Sequence, residues 1–483
     1  MPPEHLDVLI IGAGLSGIGA GYHVQKDCPK KSYAILESRD CIGGTWDLFR
    51  YPGIRSDSDM YTLGYPFRPW KDGKAIADGP SILNYIRDTA KEFGIDQKIR
   101  YQHRVVGASW SSKDSLWTID IERGPAREPI QITCRFVYCC TGYYDYDNGY
   151  LPDFPGKERF KGQTVHPQKW TSDIDYAGKR VLVIGSGATA VTLVPEMART
   201  AAHVTMLQRS PTYIVSMPSQ DALANGMRKL LPGKMAHSLS RWKNVMMSML
   251  FYQLSKRAPG MMKKLIRKGV QTELGKSYDM KHFTPHYNPW DQRLCIVPDG
   301  DMFQAIKKGT VDIVTDRIET FTEKGVKLKS GTEIEADLII TATGLKMKLI
   351  GGMSLTVDGK LVNPPDCKVY KGMMLSDVPN LAFAIGYTNA SWTLKADLSN
   401  RYLCRLINYM DQRGYTRCMP KIRGKVKDEP LMDFTSGYVQ RDLENLPKQG
   451  SKAPWKLYQN YILDLITLGY RSVTDYMVFS RGK

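Results

Sequence analysis

LDVLIIGAGLSG, residues 6–17, decides the fold, because a short apolar run leads directly into the pattern G-x-G-x-x-G. The run Leu6–Ile11 is typical of a strand buried on both faces of a parallel sheet, and the residues after the glycines can form a helix. In such a turn Gly12 permits the tight bend, Gly14 lets the backbone approach a pyrophosphate, and Gly17 lets the helix pack closely on the strand. The N–H groups at the start of that helix then face the phosphates. The stretch therefore predicts a dinucleotide-binding βαβ unit.

A carboxylate and a pair of glycines further along the chain support this prediction. A second apolar strand, Tyr33–Leu36, ends in Glu37, which lies about 25 residues after the first glycine, where an acid accepts hydrogen bonds from a ribose. In Gly43-Gly44-Thr45-Trp46 the backbone at the glycines can lie against a planar ring, and Trp46 can form a wall. Gly44, Thr45 and Trp46 are therefore candidate cofactor contacts. The alternative is a simple glycine turn followed by an acid through coincidence.

A second unit of the same kind begins at Arg180–Ile184, RVLVI, which runs into Gly185-Ser186-Gly187-Ala188-Thr189-Ala190. Gly185 and Gly187 repeat the first two glycines, and Ala190 replaces the third, a variant that still allows fairly close helix packing. The next strand, His203–Leu207, ends in Gln208-Arg209-Ser210. The guanidinium of Arg209 and the hydroxyl of Ser210 suit a ribose 2′-phosphate, whereas an NAD site would place an acid here. NADPH is therefore favoured over NADH, although a surface arginine without a ligand is the plainer alternative.

The segment between the two units reads FKGQTVHPQKW and fits F-x-G-x-x-x-H-x-x-x-W, with Phe160, Gly162, His166 and Trp170 in the fixed positions. We interpret it as a linker that couples the two dinucleotide sites. A metal ligand is improbable for His166, because no second His, Cys or Asp lies at ligand spacing, and we expect no metal. We predict that His166 orders the linker by hydrogen bonds rather than acting as an acid or a base. Together the two units predict an α/β fold with two Rossmann-like dinucleotide-binding domains.

The bulk properties exclude several other classes of protein. The chain has 483 residues, 42% hydrophobic and 24% charged, which is ordinary for a globular protein of two or three domains. Its net charge of +18 invites a nucleic-acid interpretation, but no zinc-finger spacing, ribonucleoprotein motif or basic zipper is present. The nine cysteines contain no C-x-x-C pair, and only Cys41 lies near Gly43-Gly44, which disfavours thiol–disulfide chemistry. No apolar run approaches the roughly 18–20 residues that cross a bilayer, so we expect a cytoplasmic protein that binds no nucleic acid.

These motifs resemble the class B flavoprotein monooxygenases, and within them the type I Baeyer–Villiger monooxygenases. The linker pattern matches that family's fingerprint, and the run from Gly43 through Tyr51-Pro52-Gly53 to Asp57 matches its second signature. The resemblance is strongest to the subgroup that activates thioamide prodrugs of the ethionamide type, and it covers nearly the whole chain. The shared runs are RYPGIRSDSDMYTLGY from Arg50, GSGATAVTLVP from Gly185, HYNPWDQRLC from His286, GYTNASWTLKADL from Gly386 and LPKQGS from Leu446.

The resemblance implies FAD and NADPH as cofactors, O2 as co-substrate, and a small ketone or sulfur compound as substrate. Reduced flavin would form a C4a-peroxyflavin that converts ketones to esters or lactones, and thioethers or thioamides would be oxygenated at sulfur. Arg293 is then the catalytic cation and Asp57, which is also a cofactor contact, its partner; an arginine is apt because it stays charged beside a peroxide. Trp392 is implied to line the site, with a core aromatic as the alternative. The alternative function is an N- or S-oxidising flavin monooxygenase with little Baeyer–Villiger activity.

Two departures from the family pattern bear on these expectations. Thr171 follows the fingerprint where Pro or Asp is usual, whereas Trp170 itself favours the Baeyer–Villiger branch over the N- and S-oxidising one, which has Tyr or Phe. Gln292 stands before the catalytic arginine, where a lysine often provides a second 2′-phosphate contact. Without that lysine, the family pattern provides no second cation beside Arg209 to contact the 2′-phosphate.

The resemblance also implies a domain organisation with a helical insertion that caps the substrate cavity. The predicted ranges are 1–145 and 345–483 for the FAD-binding domain, 146–215 with the linker and 289–344 for the NADPH-binding domain, and 216–288 for the insertion. In the insertion, Trp242–Leu254 and Met261–Lys268 predict amphipathic helices. Their methionines suit an adaptable apolar pocket, with core packing as an equal alternative. The lysines beside them also allow a peripheral contact with an anionic membrane. No sequence signal indicates an oligomeric state.

Overall fold

The computed structural model describes residues 3–482, and its elements are numbered here in chain order. The first glycine-rich turn belongs to a nine-stranded sheet. Its strands are β1 Glu4–Ile11, β2 Tyr33–Leu36, β3 Ile99–Arg100, β4 His103–Ser111, β5 Leu116–Arg123, β6 Glu128–Cys139, β19 Ser354–Val357, β20 Lys360–Leu361 and β23 Leu381–Phe383. Their order is β20-β19-β4-β5-β6-β1-β2-β3, and β23 pairs with the last residues of β6. β1 runs parallel to both of its neighbours and is buried on both faces, as the apolar run at its end predicts.

The second glycine-rich turn belongs to a five-stranded sheet whose strands are all parallel. They are β8 Gln163–Val165, β9 Arg180–Ile184, β10 His203–Gln208, β13 Val311–Thr315 and β17 Leu338–Thr341, in the order β13-β10-β9-β17-β8. The segment that we interpreted as a linker thus also supplies β8, the edge strand of this sheet. The α/β fold with two dinucleotide-binding units is confirmed.

In the described part of the chain, twelve α-helices accompany the sheets: α1 Leu15–Asp27, α2 Thr45–Leu48, α3 Met60–Leu63, α4 Gly79–Glu92, α5 Ala188–Met197, α6 Ala222–Leu230, α7 Gly233–Arg257, α8 Pro259–Leu274, α9 Asp301–Lys307, α10 Trp392–Arg413, α11 Gly437–Asp442 and α12 Tyr461–Asp464. Local signals explain several ends. The Asp78 carboxylate accepts a hydrogen bond from the Ser81 amide and caps α4, and Pro80 lies in the first turn of that helix, where a proline is tolerated. α10 ends at Gly414, whose φ of +65° is the left-handed conformation that glycine adopts without strain.

The two passes of the chain between the sheets pair with each other. β7 Tyr144–Gly149 follows β6, and β18 Leu345–Met347 follows β17, and the two form an antiparallel ribbon. A second two-stranded ribbon, of β11 Ile214–Met217 and β12 Cys295–Pro298, brackets the helices α6, α7 and α8. The domain limits predicted at residues 145 and 215 fall within β7 and β11, and the domain ranges stay predictions. The other small sheets are β14 Ile318–Phe321 with β15 Gly325–Leu328 and β16 Glu333–Glu335, β21 Val369–Tyr370 with β22 Met374–Leu375, β24 Arg417–Pro420 with β27 Met477–Ser480, and β25 Asp428–Glu429 with β26 Gln449–Gly450.

Most methionines of the helical segment do not form the predicted pocket, although Met249 is partly buried against Val245, Tyr387 and Leu394. Met246, Met247 and Met261 are exposed, and Met262 is buried in the core. The reason is the orientation of α7, whose buried residues include Ala236, Ser240 and Val245 rather than methionines. Within residues 3–482, no helix is both long and apolar enough to cross a membrane.

Candidate active site

The first glycine-rich turn has the geometry that close approach of a phosphate requires. Gly12 has φ +105°, and a Cβ there would lie 2.6 Å from the Cys140 carbonyl oxygen. A Cβ on Gly17 would lie 1.8 Å from the Gly12 carbonyl oxygen, so α1 can pack on the turn only without a side chain at this position. Gly14 precedes α1 and provides no side-chain cap. A Cβ on Gly44 would lie 3.0 Å from the Cα of Gly14. The helix N-terminus therefore opens onto a backbone surface free of side chains.

The acid predicted at the end of β2 is fixed to this turn. Glu37 is buried, and its Oε2 accepts a hydrogen bond of 2.8 Å from the Ala13 amide. Its Oε1 accepts a hydrogen bond of 3.0 Å from the Arg39 amide. These bonds place the carboxylate beside the turn, at the carboxyl end of the sheet, where dinucleotide ribose groups bind.

The second turn has the same form but is more open. Gly185 has φ +136°, and a Cβ there would lie 2.3 Å from the Ala342 carbonyl oxygen. Gly187 precedes α5, and a Cβ on it would meet no atom within 4 Å, so its backbone faces open space. Ala190 is fully buried beneath the turn, while Arg209 and Ser210 are exposed at the end of β10.

Both turns open into one cavity of about 1280 Å³, which is larger than the roughly 300–1,000 Å³ of a site for one small ligand. Thirteen of the predicted site residues line it: Gly12, Gly14, Glu37, Gly44, Thr45, Trp46, Asp57, Gly185, Gly187, Arg209, Ser210, Arg293 and Trp392. The other six do not: Gly17, Ala190, Phe160, Gly162, His166 and Trp170. The cavity therefore joins the two turns in one space, which two extended ligands can share.

The predicted catalytic pair lies together on the wall of this cavity. Arg293 Nε and Asp57 Oδ2 are 2.7 Å apart, and each side chain is about one-third exposed. The Asp57 carboxylate raises the pKa of the Arg293 guanidinium above its usual value, and this effect outweighs the opposing effect of burial. The arginine therefore stays protonated at every working pH and presents a permanent positive charge to the cavity.

Loops from distant parts of the chain bring these two residues together. The loop that carries Asp57 packs on α5, since a Cβ on Gly53 would lie 3.0 Å from the Thr192 carbonyl oxygen. Arg55, two residues before Asp57, forms an ion pair with Asp301 at the start of α9. On the other side, the Asp291 carbonyl accepts a hydrogen bond of 2.8 Å from the Thr435 amide. Both loops are thus held by contacts other than the catalytic pair itself.

Tyrosines surround the arginine, and the sequence did not point to them. The hydroxyl groups of Tyr143 and Tyr144 lie 2.5 Å apart, and both residues and Tyr438 line the cavity. Burial raises the pKa values of Tyr144 and Tyr438 well above the usual value, so both remain neutral hydroxyls beside the guanidinium. The only signal was the tyrosine-rich run after Thr141-Gly142, which lacks a recognisable period.

Trp392 connects this aromatic wall to the first turn. Its Nε1 donates a hydrogen bond of 2.7 Å to Ser16 Oγ, and its ring stacks on Tyr143 with the centroids 5.2 Å apart. A Cβ on Gly386 would lie 2.5 Å from the indole, so that glycine makes room for the ring. The tryptophan is therefore a fixed part of the cavity wall.

His166 joins the linker to the second pass of the chain between the sheets. Its Nδ1 accepts a hydrogen bond of 3.2 Å from the Gln168 amide, so the proton resides on Nε2, which donates to the Gly344 carbonyl over 3.2 Å. Burial lowers the pKa of His166 below its usual value, which favours this neutral form. The Gln168 side chain donates to the Asp145 carbonyl of β7 over 2.8 Å. The linker is thus hydrogen-bonded to β7 and to Gly344, the residue directly before β18.

The other fingerprint residues pack within the second unit. Phe160 lies 6.4 Å from Phe321, centroid to centroid, and Trp170 lies 6.1 Å from Tyr176. A Cβ on Gly162 would lie 2.6 Å from the Asp337 carbonyl oxygen, just before β8 pairs with β17. These contacts fix the position of β8, which His166 directly follows.

Comparison with known proteins gives consistent matches. Residues 64–351 match the family described as flavin-binding monooxygenase-like, and residues 10–75 match the NAD(P)-binding Rossmann-like domain. The chain is 54% identical over 475 residues to the FAD-containing monooxygenase EthA of Mycobacterium tuberculosis (strain H37Rv), covering 98% of this chain and 97% of EthA. It is 48% identical over 464 residues to the probable FAD-binding monooxygenase AlmA of Acinetobacter baylyi, covering 95% and 93% of the two chains.

Solved structures with low sequence identity share the fold. A steroid monooxygenase bound to NADP has a TM-score of 0.77 at 20% identity, over 99% of this chain and all of that one. OTEMO in complex with FAD and NADP has a TM-score of 0.70 at 22% identity, over 86% and 88% of the chains. A cyclohexanone-bound cyclohexanone monooxygenase has a TM-score of 0.71 at 19% identity, over 87% and 89%.

Proposed function

The chain belongs to the flavin-binding monooxygenase-like family, and from that membership and the geometry of its cavity we propose that it is an FAD-containing, NADPH- and O2-dependent Baeyer–Villiger monooxygenase. The resemblance to the flavoprotein monooxygenases drawn from the sequence motifs is thereby confirmed. Ketones are the proposed substrates and esters or lactones the products, with sulfur compounds as further substrates of the same site. The observation that carries the proposal is the Arg293–Asp57 pair on the wall of the cavity that both glycine-rich turns share.

The residues of each turn fit the cofactor that we assign to it. The first turn offers the bare backbone at Gly14 and Gly44 and the carboxylate of Glu37 to FAD, and Trp46 and Trp392 border the same space. The second turn offers the open backbone at Gly187 to NADPH. When bound, the reduced flavin supplies activated oxygen, which the carbonyl carbon of the substrate receives.

The chain's own contribution is electrostatic and positional. The Arg293 guanidinium presents fixed positive charge where negative oxygen develops during attack on the ketone, and it needs no reorganisation to do so. Asp57 holds that guanidinium in place through Nε, which leaves the terminal nitrogens for the reacting groups. The neutral tyrosines around it exclude water without adding a competing charge.

Product analysis tests the proposed function directly. The FAD-loaded enzyme is supplied with NADPH, air and a panel of linear, cyclic and aryl ketones together with thioethers, and products are identified by mass spectrometry with labelled O2. We expect an ester or lactone that contains one atom of labelled oxygen. Sulfoxides without any ester would instead identify an S-oxidising monooxygenase, and hydrogen peroxide alone would identify an NADPH oxidase.

Arg209 is the proposed contact of the 2′-phosphate of NADPH, and Arg441 is its proposed companion. The guanidinium of Arg441 lies over Tyr150, 3.4 Å from the ring centroid, and lines the same cavity. Burial lowers the pKa of Arg441, and repulsion by the like charge of Arg209, which lines the same cavity, acts more weakly in the same direction. A phosphate between them would relieve that repulsion and replace the lysine that Gln292 does not provide.

Arg209→Gln is therefore expected to weaken NADPH binding by about tenfold to a hundredfold, since a hydrogen bond to a charged group contributes about 1.5–3 kcal/mol. Binding of NADH, which lacks the 2′-phosphate, should change less than threefold. Isothermal titration of the FAD-loaded enzyme with NADP and with NAD measures both. Arg441→Gln is expected to act in the same direction with a smaller effect, and equal losses for both nucleotides in Arg209→Gln would contradict the assignment.

His166→Ala is expected to uncouple NADPH oxidation from oxygenation while FAD remains bound. The substitution removes the hydrogen bonds to Gly344 and Gln168, which hold the linker against the β7–β18 ribbon. The ratio of ester formed to NADPH consumed, together with hydrogen peroxide released, measures the coupling. As a control, His203→Ala removes a partly exposed histidine of β10 that pairs with Asp312 and lies outside the cavity. Unchanged coupling in His166→Ala would remove the positioning role from this residue.

A further inference from the structure

The exposed apolar side chains of the molecule are concentrated on α6, α7 and α8. Among the described residues, 19 large hydrophobic side chains are exposed, and 11 of them lie within residues 222–274. That segment is about a ninth of the chain, so the exposed apolar residues are concentrated there. Single hydrophobic residues scattered over a surface are normal, whereas a cluster of them indicates an interaction site.

On α7 these side chains form a continuous stripe. Its members recur at helical spacing along the side that faces solvent: Met235, Leu239, Trp242, Met246 and Leu250. Leu250, near the end of the stripe, exposes 61% of its surface. The opposite side of α7 packs inward through Ala236, Ser240 and Val245, so the helix is already anchored to the protein and its outer apolar stripe is not needed for packing.

The stripe continues onto the C-terminal part of the chain. The ring of Trp242 lies 5.8 Å from that of Tyr461, at the start of α12. Exposed Leu463, Ile466 and Tyr470 follow Tyr461 within ten residues. Two segments that are distant in sequence thus form one apolar surface, which we call the α7 face.

The rim of this face is strongly basic. Residues 222–274 contain eleven Lys and Arg residues but one acid, Glu273; ten of these cations are at least partly exposed, and Arg241 is buried. On α8 the exposed side chains of Met261 and Leu265 alternate with Lys264, Arg267 and Lys268, which are also exposed. Long basic side chains beside apolar ones can keep their charges at a lipid headgroup layer while their stems lie along the apolar surface.

Charge decides between the possible occupants of the α7 face. A second copy of the chain would bring the same excess of positive charge against itself, which opposes association. Nucleic acid would satisfy the cations but leave the apolar stripe in water. An anionic lipid surface satisfies both, because apolar side chains enter the boundary of the acyl chains and the cations meet the headgroups.

We propose that the α7 face docks on membranes that contain anionic lipids and holds the enzyme at their surface. In the docked enzyme, the inner side of α7 would connect the lipid surface to the central cavity, which apolar molecules would reach from the lipid. Val245 packs with Tyr387 and Leu394, and Tyr387 also lines the central cavity. The docked helix thus lies between the lipid surface and the cavity wall.

Vesicle sedimentation tests this proposal with the full-length, FAD-loaded protein. The probes are vesicles of phosphatidylcholine alone and vesicles with about two-fifths phosphatidylglycerol. We expect binding to the anionic vesicles that weakens at least tenfold when salt rises from 0.05 to 0.3 M, because the Debye length shortens from about 14 Å to about 6 Å. The double variant Met246→Glu/Leu250→Glu places two carboxylates in the stripe and is expected to lose at least tenfold in affinity.

Leu361→Glu is the matched control, because Leu361 on β20 is 72% exposed but lies outside the α7 face. It should bind vesicles like the parent protein, and all variants should retain FAD absorbance and the parent melting temperature within a few degrees. Absence of binding to anionic vesicles, or equal binding to both kinds, would overturn the proposal. So would a double variant that changes only from oligomer to monomer in light scattering, since the face would then bind a second copy.

Discussion

Arg293→Ala is expected to lower the rate of ester formation by about a hundredfold to a thousandfold, while FAD stays bound and NADPH is still oxidised. Removal of one preorganised donor to a developing oxyanion has an effect of this size. Here the loss includes a permanent charge as well, since Asp57 keeps the guanidinium protonated and oriented toward the cavity. Gas chromatography of the ester and a peroxide assay of the same reaction give the two quantities to compare.

Two further variants separate charge from geometry at this position. Arg293→Lys keeps the charge but loses the planar group that Asp57 orients, so we expect intermediate activity. Asp57→Asn keeps the arginine but removes the carboxylate that holds it, and should lower oxygenation less than Arg293→Ala. Arg199→Ala, which removes an exposed arginine paired with Glu196 on the protein surface, controls for loss of positive charge in general. Ester formation by Arg293→Ala at the parent rate would exclude the catalytic role.

Gly17→Ala is expected to abolish FAD retention and to destabilise the fold by about 3 kcal/mol, the upper part of the usual range for overpacking. The added methyl carbon would lie 1.8 Å from the Gly12 carbonyl oxygen, which is backbone that cannot rotate away. α1 must therefore move off the turn, and its N-terminal amides move with it. Flavin fluorescence after gel filtration and thermal unfolding of the apoprotein measure the two effects separately.

Gly269→Ala provides the matched helical control. Gly269 lies in α8, is exposed, and would place its Cβ in open space. The substitution should stabilise the protein slightly, by about 0.5–1 kcal/mol, because alanine is the better helix former. Retention of FAD by Gly17→Ala at the parent melting temperature would show that α1 does not need its close contact with the turn.

The parts of the fold that could be predicted from the sequence depend on local patterns. The apolar run Leu6–Ile11 followed by Gly12 specifies a buried strand and a tight turn within a few residues, and the same holds for the second unit at Gly185. The pairing of β7 with β18 could not be predicted, because it joins two short, weakly patterned segments that only the tertiary fold brings together.

Some residues of the candidate site could likewise be predicted from local sequence patterns, and others could not. Residues that act through their own backbone conformation, such as Gly12 and Gly185, can be recognised from the spacing of the glycines in the sequence. Arg293 and Asp57 lie in separate loops and drew attention only through the family resemblance, since no periodicity relates them. Tyr438 and Arg441 gave no signal, because a single aromatic or basic residue in a loop is far more often a surface residue.

The first sheet is discontinuous in sequence, and this determines the order in which the chain can fold during synthesis. The five-stranded sheet receives its last strand at Leu338–Thr341, whereas the nine-stranded sheet awaits β23, which ends at Phe383. Only after that does α10 emerge to cover α1, where His23 bonds to Asp397 over 2.9 Å. The strands β1 to β6 can pair with one another once residues 4–139 are available, but their sheet stays incomplete until β19, β20 and β23 follow the five-stranded sheet. During synthesis the first sheet would therefore begin to form before the second but be completed after it, which departs from a simple order of one finished unit after another.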